Sequence, residues 1–158
     1  MNNFLNNEKW MYDALKEARK AYRSDEVPIG AIIVNDSQII GKSHNQVENL
    51  KDATAHAEIL AITSAANKLN DWRLENTSLY VTKEPCLMCL GAIINSRISK
   101  LYYGFSDSKN GFSNKLNIEE LIITSHLNFI EGSILKNECY DVVSKFFISK
   151  RKKNKKTY

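Results

Sequence analysis

Short apolar runs of strand length alternate along this chain with longer stretches of helical period, and that alternation limits the fold more than any other feature. Ile29-Gly30-Ala31-Ile32-Ile33-Val34 reads as a buried strand, and Leu79-Tyr80-Val81-Thr82 and Lys100-Leu101-Tyr102-Tyr103-Gly104 as further short strands. Between them, Trp10, Met11, Ala14, Leu15, Ala18, Ala21 and Tyr22 repeat at helical spacing. Asn35-Asp36-Ser37 is turn chemistry between Val34 and a returning strand at 38–41, which predicts a hairpin. A polar loop is expected over 45–53, with Thr54 as N-cap of a helix from Ala55 to Asn67. Pro85 suits the first position of another helix running to about Asn95. A loop near 105–115, a short helix, a strand near Phe129-Ile130 and a last helix from about Ile134 complete the reading. Strands interleaved with helices predict a layered α/β domain with its sheet sandwiched by helices.

At 158 residues the chain has room for one ordinary domain. Hydrophobic residues at 43% and charged residues at 25% fit a soluble globular protein. No apolar run nears the roughly 20 residues that span a bilayer. Residues 1–8 lack the basic and apolar regions of a secretory signal, so a cytoplasmic location is expected and no membrane partner. The net charge of +4 is unevenly placed: residues 150–156 carry six of the 22 basic residues, leaving 16 basic against 18 acidic over 1–149. The expected organisation is a catalytic domain over 1–149 and a basic tail over 150–158. Such an arm suits a polyanion such as a nucleic acid, or serves as a solvated end.

Three cysteines, Cys86, Cys89 and Cys139, cannot all pair within one chain. Without export, Cys-x-x-Cys points to metal or redox chemistry. His56-Ala57-Glu58 precedes Pro85-Cys86-Leu87-Met88-Cys89 by 26 residues, and each segment is expected at a helix N-terminus. Two cysteines three apart at a helix start can grip one ion with their thiolates at the positive end of the helix dipole. His56 supplies a third ligand, and three protein ligands leave a tetrahedral position open, as in catalytic zinc. Glu58 is then a proton carrier rather than a ligand. The competing arrangement is a structural zinc closed by Cys139, His44 or His126. Cys139, however, falls on the apolar row of Leu135, Val142, Val143 and Phe146, where a small thiol is ordinary core.

The two segments together form the H-x-E…P-C-x-x-C signature of zinc-dependent nucleobase deaminases. From about Trp10 to Phe147 the chain resembles the bacterial tRNA-specific adenosine deaminases. The likeness runs through Glu26-Val27-Pro28-Ile29-Gly30-Ala31, Thr54-Ala55-His56-Ala57-Glu58-Ile59, Leu79 to Cys86, Ser96-Arg97-Ile98, Glu138-Cys139 and Phe146-Phe147. The resemblance implies a three-layer α/β/α cytidine-deaminase-like fold with a five-stranded mixed sheet, a homodimer and one zinc per subunit. It also implies conversion of adenosine to inosine at the wobble position of a tRNA anticodon stem-loop. By the same resemblance Asn45, Ala57, Asp107, Lys109 and Phe147 contact the substrate, and Val27 with Pro28 forms an apolar pocket wall. The chain departs from the family in having Ala53 where Pro is common, Lys83 where Leu is common, and Phe112-Ser113-Asn114-Lys115 after Gly111. A guanine deaminase of the same fold is the alternative, since Cys86-Leu87-Met88-Cys89-Leu90-Gly91-Ala92-Ile93 suits that family as well. A zinc-stabilised RNA-binding module without catalysis is the third possibility, and it leaves Glu58 without a purpose.

Overall fold

The central strands have no polar face because both faces of their sheet are covered. In the computed structural model, which describes residues 2–154 and the side chains of 6–153, five strands lie in the order β2-β1-β3-β4-β5. They are β1 (Gly30–Asn35), β2 (Gln38–His44), β3 (Ser78–Lys83), β4 (Lys100–Phe105) and β5 (Phe129–Glu131). β1 runs antiparallel to β2 and β3, whereas β3, β4 and β5 are mutually parallel, so the sheet is mixed. Ala31, Ile33, Leu79, Val81, Leu101 and Tyr103 face one core, and Ile32, Val34, Tyr80, Tyr102 and Phe105 face the other. That alternation across one pleated surface makes the strands read as continuous apolar runs.

Helices α1 (Asn2–Arg23) and α6 (Lys136–Asn154) cover the second face, and α3 (Ala57–Leu69) and α4 (Leu87–Asn95) the first. The molecule is therefore an α/β/α sandwich of the expected kind. Its close fit is visible at Gly30, where a Cβ would collide with the Ala14 carbonyl and the Ala18 amide of α1. Gly104 makes the same kind of room for α6, since a Cβ there would sit 2.5 Å from Cys139 Sγ. Cys139 is fully buried in the α1/α6 core. Phe112, in a residue stretch that departs from the family pattern, is fully buried against Tyr103, ring centroids 6.2 Å apart and nearly perpendicular. Burying such a side chain contributes roughly 1.5–3 kcal/mol.

The structure corrects several boundaries. The expected polar loop over 45–53 contains a one-turn helix, α2 (Val47–Leu50). Thr54 does not cap the next helix: its hydroxyl donates to Asp52 Oδ1 at 2.7 Å, and α3 begins only at Ala57. Pro85 lies outside α4, whose first helical residue is Leu87. The short helix is α5 (Ile118–Thr124), capped by Asn117 through the backbone N–H groups of Glu119 and Glu120. The basic segment is not wholly a tail, because α6 continues through Asn154 and carries Lys150 to Lys153 on a helix. Residues 155–158 of the expected arm lie outside the described residues. Among the described residues no helix is long and apolar enough to cross a membrane.

Candidate metal centre and active site

His56 and Cys86 occupy equivalent places, each the last extended residue before a helix. Their backbones have the conformation of an N-cap (φ −72°, ψ 154° and φ −78°, ψ 172°), yet neither side chain makes a capping hydrogen bond. A capping residue usually turns its side chain back onto the first turn. Here the two side chains instead meet each other. His56 Nδ1 lies 3.7 Å from Cys86 Sγ and 3.4 Å from Cys89 Sγ. One ligand atom from each of His56, Cys86 and Cys89 falls within 4.8 Å of the others, and among the described residues no fourth His, Cys, Asp or Glu joins them. Cys139 sits in the other core with its Sγ 3.9 Å from the Ile134 carbonyl, and burial pushes its thiol up to about 12. His44, at the end of β2, lies 3.5 Å from Glu17.

The two thiols are pushed in opposite directions. Hydrogen bonding from Cys89 and from His56 holds Cys86 down at about 3, against the effect of burial. Its hydrogen bond to Cys86 and its own burial push Cys89 up. Hydrogen bonding to Cys86 raises the His56 imidazole, opposed by partial burial. Glu58, the second residue of α3 and 4% exposed, has its carboxyl raised by burial.

His56, Cys86 and Glu58 line a cavity of about 410 Å³, with Cys89 buried behind them. Val27, Asn45, Ala57 and Asp107 line it as well, whereas Lys109 and Phe147 are not among its lining residues. Ile29 rather than Pro28 continues the apolar wall from Val27. Phe147 is 44% exposed on α6 and packs edge-on against Phe146, 5.4 Å between centroids.

Two buried carboxylates in the cavity wall escape sequence reasoning. Glu26, 1% exposed, accepts the Asn45 amide Nδ2 at 3.1 Å and the Asn49 backbone N–H at 2.7 Å. Glu84, 3% exposed, accepts the backbone N–H of Asp107 at 2.9 Å and of Ser113 at 2.8 Å. Each pins one of the loops that frame the opening. Asp107 turns its own carboxylate inward on its loop, accepting the N–H groups of Lys109 (3.0 Å) and Asn110 (3.1 Å). Burial alone would raise this carboxyl. Its hydrogen bond with Lys83 and those two N–H groups outweigh burial and hold it at about 2.

Comparison with known proteins agrees with this geometry. The profile of the MafB19-like deaminases matches residues 5–151. The chain is 43% identical to the tRNA-specific adenosine deaminase of Bacillus subtilis (strain 168) over 149 residues, 94% of this chain and 92% of that protein. It superposes on a structure solved in studies of A-to-I editing by tRNA:A34 deaminases at the wobble position of transfer RNA. That match has a TM-score of 0.78 at 41% identity, over 85% of this chain and 98% of the other. A guanine deaminase from Bacillus subtilis superposes with a TM-score of 0.61 at 36% identity, over 67% of this chain and 66% of that one. Spread over nearly the whole chain and not only the His/Cys/Cys group, this similarity makes the chain a member of the MafB19-like deaminase family and of the tRNA-specific adenosine deaminases.

Proposed function

We propose that the protein is a zinc-dependent hydrolase that converts adenosine to inosine at the wobble position of a tRNA anticodon. The observation that carries this reading is the His56/Cys86/Cys89 group, two of whose members, His56 and Cys86, line a cavity together with the buried Glu58, which is not part of the group. The donor set fits zinc. Ligand bonds of about 2.3 Å to sulfur and 2.0–2.1 Å to nitrogen in a tetrahedron put S and N about 3.6 Å apart. The separations here, 3.4 and 3.7 Å, bracket that value. His56, Cys86 and Cys89 would hold the zinc ion, which would lower the pKa of a bound water to about 7.

The chain's own residues do the rest. Glu58 takes a proton from the attacking water and passes it to the ring nitrogen N1 as oxygen adds to C6. It then takes the remaining proton from the new C6 hydroxyl and delivers it to the amino group, so that the C6 carbonyl forms as the C6–N bond breaks and ammonia leaves. Ala57 and Val27 give the base apolar walls, and the Asn45 amide offers it hydrogen bonds. An anticodon-loop base is already partly unstacked, so drawing it into the cavity costs less than extruding it from a duplex. Lys109 and Phe147, outside the cavity lining, would meet neighbouring nucleotides. The reading carries a homodimer with it, tested by sedimentation of the purified protein.

The likeness to a guanine deaminase favours one competing reading, turnover of a free base. Incubating the purified protein with an anticodon stem-loop, free adenosine and free guanine, and scoring ammonia and inosine, separates the two. Inosine in the stem-loop with little turnover of either small molecule is expected. Equal turnover of adenosine and stem-loop would remove tRNA from the reading, and turnover of guanine alone would replace it. Glu58→Gln should keep its metal and bind the stem-loop while losing at least 10²–10⁴-fold in rate, the usual contribution of general acid–base work. Near-normal turnover would remove Glu58 from the mechanism.

A further inference from the structure

Glu26 is a carboxylate buried to 1% exposure, and among the described residues no cation pairs with it. A buried charge without a counter-ion is costly, and hydrogen bonds must carry it. Both its oxygens are used, Oε1 by the Asn49 backbone N–H and Oε2 by Asn45 Nδ2. The backbone on either side is fixed as well. Glu26 N–H donates to the Ala21 carbonyl at 3.0 Å, and Asn45 N–H to the Ile29 carbonyl at 3.0 Å. The freedom left in this pair is a half-turn of the Asn45 amide.

We infer that Glu26 is a positioning residue that sets the polarity of the Asn45 amide toward the substrate, so that the cavity presents the Asn45 carbonyl oxygen as an acceptor to the bound nucleoside. The inference rests on the nucleoside-deaminating reading given above. An ionised carboxylate accepts and cannot donate, so it attracts Nδ2 and repels Oδ1. A flipped amide would set two oxygens face to face in a buried site. With Nδ2 held at Glu26, Oδ1 has no partner among the described residues and is left for the ligand.

The arrangement makes an unusual demand of its conservative variant. Glutamine has one acceptor oxygen and one donor nitrogen. The Asn49 N–H belongs to the backbone and cannot be inverted, so in Glu26→Gln it claims the carbonyl. The Gln amino group then faces Asn45, whose amide turns over and shows the substrate a donor in place of an acceptor. Pairing Glu26→Gln with Asn45→Asp restores the original sign, because the new carboxylate accepts from Gln and still presents an oxygen to the cavity.

The test is a mutant cycle of Glu26→Gln, Asn45→Asp, Asn45→Ala and the two doubles, with kcat and KM measured separately and metal content and Tm recorded. Substrates are the anticodon stem-loop, adenosine and guanine, and the cycle is read on whichever the parent protein turns over. Loss of the tRNA reading therefore leaves this one testable, and turnover of none overturns both. Glu26→Gln should lower kcat/KM by about 10- to 100-fold, the range of one mismatched hydrogen bond, with metal content and Tm retained. The Glu26→Gln/Asn45→Asp double should recover most of that loss, and Glu26→Gln should add little in the Asn45→Ala background. A double no better than its worse single, or full additivity on Asn45→Ala, overturns the inference. The first of these also exposes a purely structural Glu26, which reciprocal exchange would not rescue.

Discussion

Lys83 Nζ stands 2.7 Å from Asp107 Oδ2, joining the end of β3 to the loop after β4 at the cavity wall. The pair has a pH signature. With its folded value near 2, below the ordinary 3.8, Asp107 favours the folded loop while ionised. That contribution is complete above 3.8 and is lost as pH falls through about 2. Lys83→Leu, which installs the residue common in the family, should move the Asp107 midpoint up toward 3.8, read by NMR titration of its carboxyl carbon. An unmoved midpoint would assign the depression wholly to the Lys109 and Asn110 amides.

The ligand set predicts a sharp contrast among the cysteines. Replacing His56, Cys86 or Cys89 with Ala should strip metal and activity together. Cys139→Ala should keep both and lose only packing against Gly104 and the α1/α6 core. Elemental analysis of the four variants checks this, and zinc-free Cys139→Ala would contradict the three-ligand centre.

Glu84 holds its loop through two backbone N–H groups, and glutamine can accept at only one of two such positions. Glu84→Gln should therefore leave one amide facing an amino group, at a cost of about 1–3 kcal/mol. Faster hydrogen exchange over 106–115 and slower turnover are expected, with metal retained. Exchange confined to other segments would mean that the loop is held by Asp107 alone.

The basic end of α6 should engage RNA phosphates. Lys150 already pairs with Asp25 and lies 5.5 Å from the Phe146 ring centroid, so part of its charge is committed within the protein. Each phosphate neutralised on a single strand contributes about −0.7 to the slope of log affinity against log salt. Truncation before Lys150 should flatten that slope by a few units and leave the metal in place. Parallel slopes for the two proteins would show a merely solvated helix end.

The strands and the chemistry were legible in the sequence for different reasons. Ile29 to Val34 and Leu79 to Thr82 announce themselves because both faces of the sheet are dry. His56, Glu58, Cys86 and Cys89 announce themselves because few other chemistries need that spacing. Helix starts were misplaced because the residues at the capping positions, His56 and Cys86, are not capping types and turn their side chains toward each other. Thr54, which is a capping type, closes a turn with Asp52 instead. The wall carboxylates were invisible for a further reason. Glu26 reaches Asn49 and Glu84 reaches Asp107, each a backbone N–H 23 residues away, and a backbone acceptor leaves no trace in side-chain spacing.

The four paired positions that join β1 to β3, Ala31 with Val81 through Val34 with Ser78, also divide the centre by chain order. Val27, Asn45, His56 and Glu58 come before the 70–77 connection, and Lys83, Glu84, Cys86, Cys89 and Asp107 come after it. A protein cut in that connection would yield one fragment with the imidazole and the proton carrier and another with both thiolates. Neither fragment owns a whole coordination sphere, so metal capture would report their reassociation through the β1–β3 ladder and the helices packed across it.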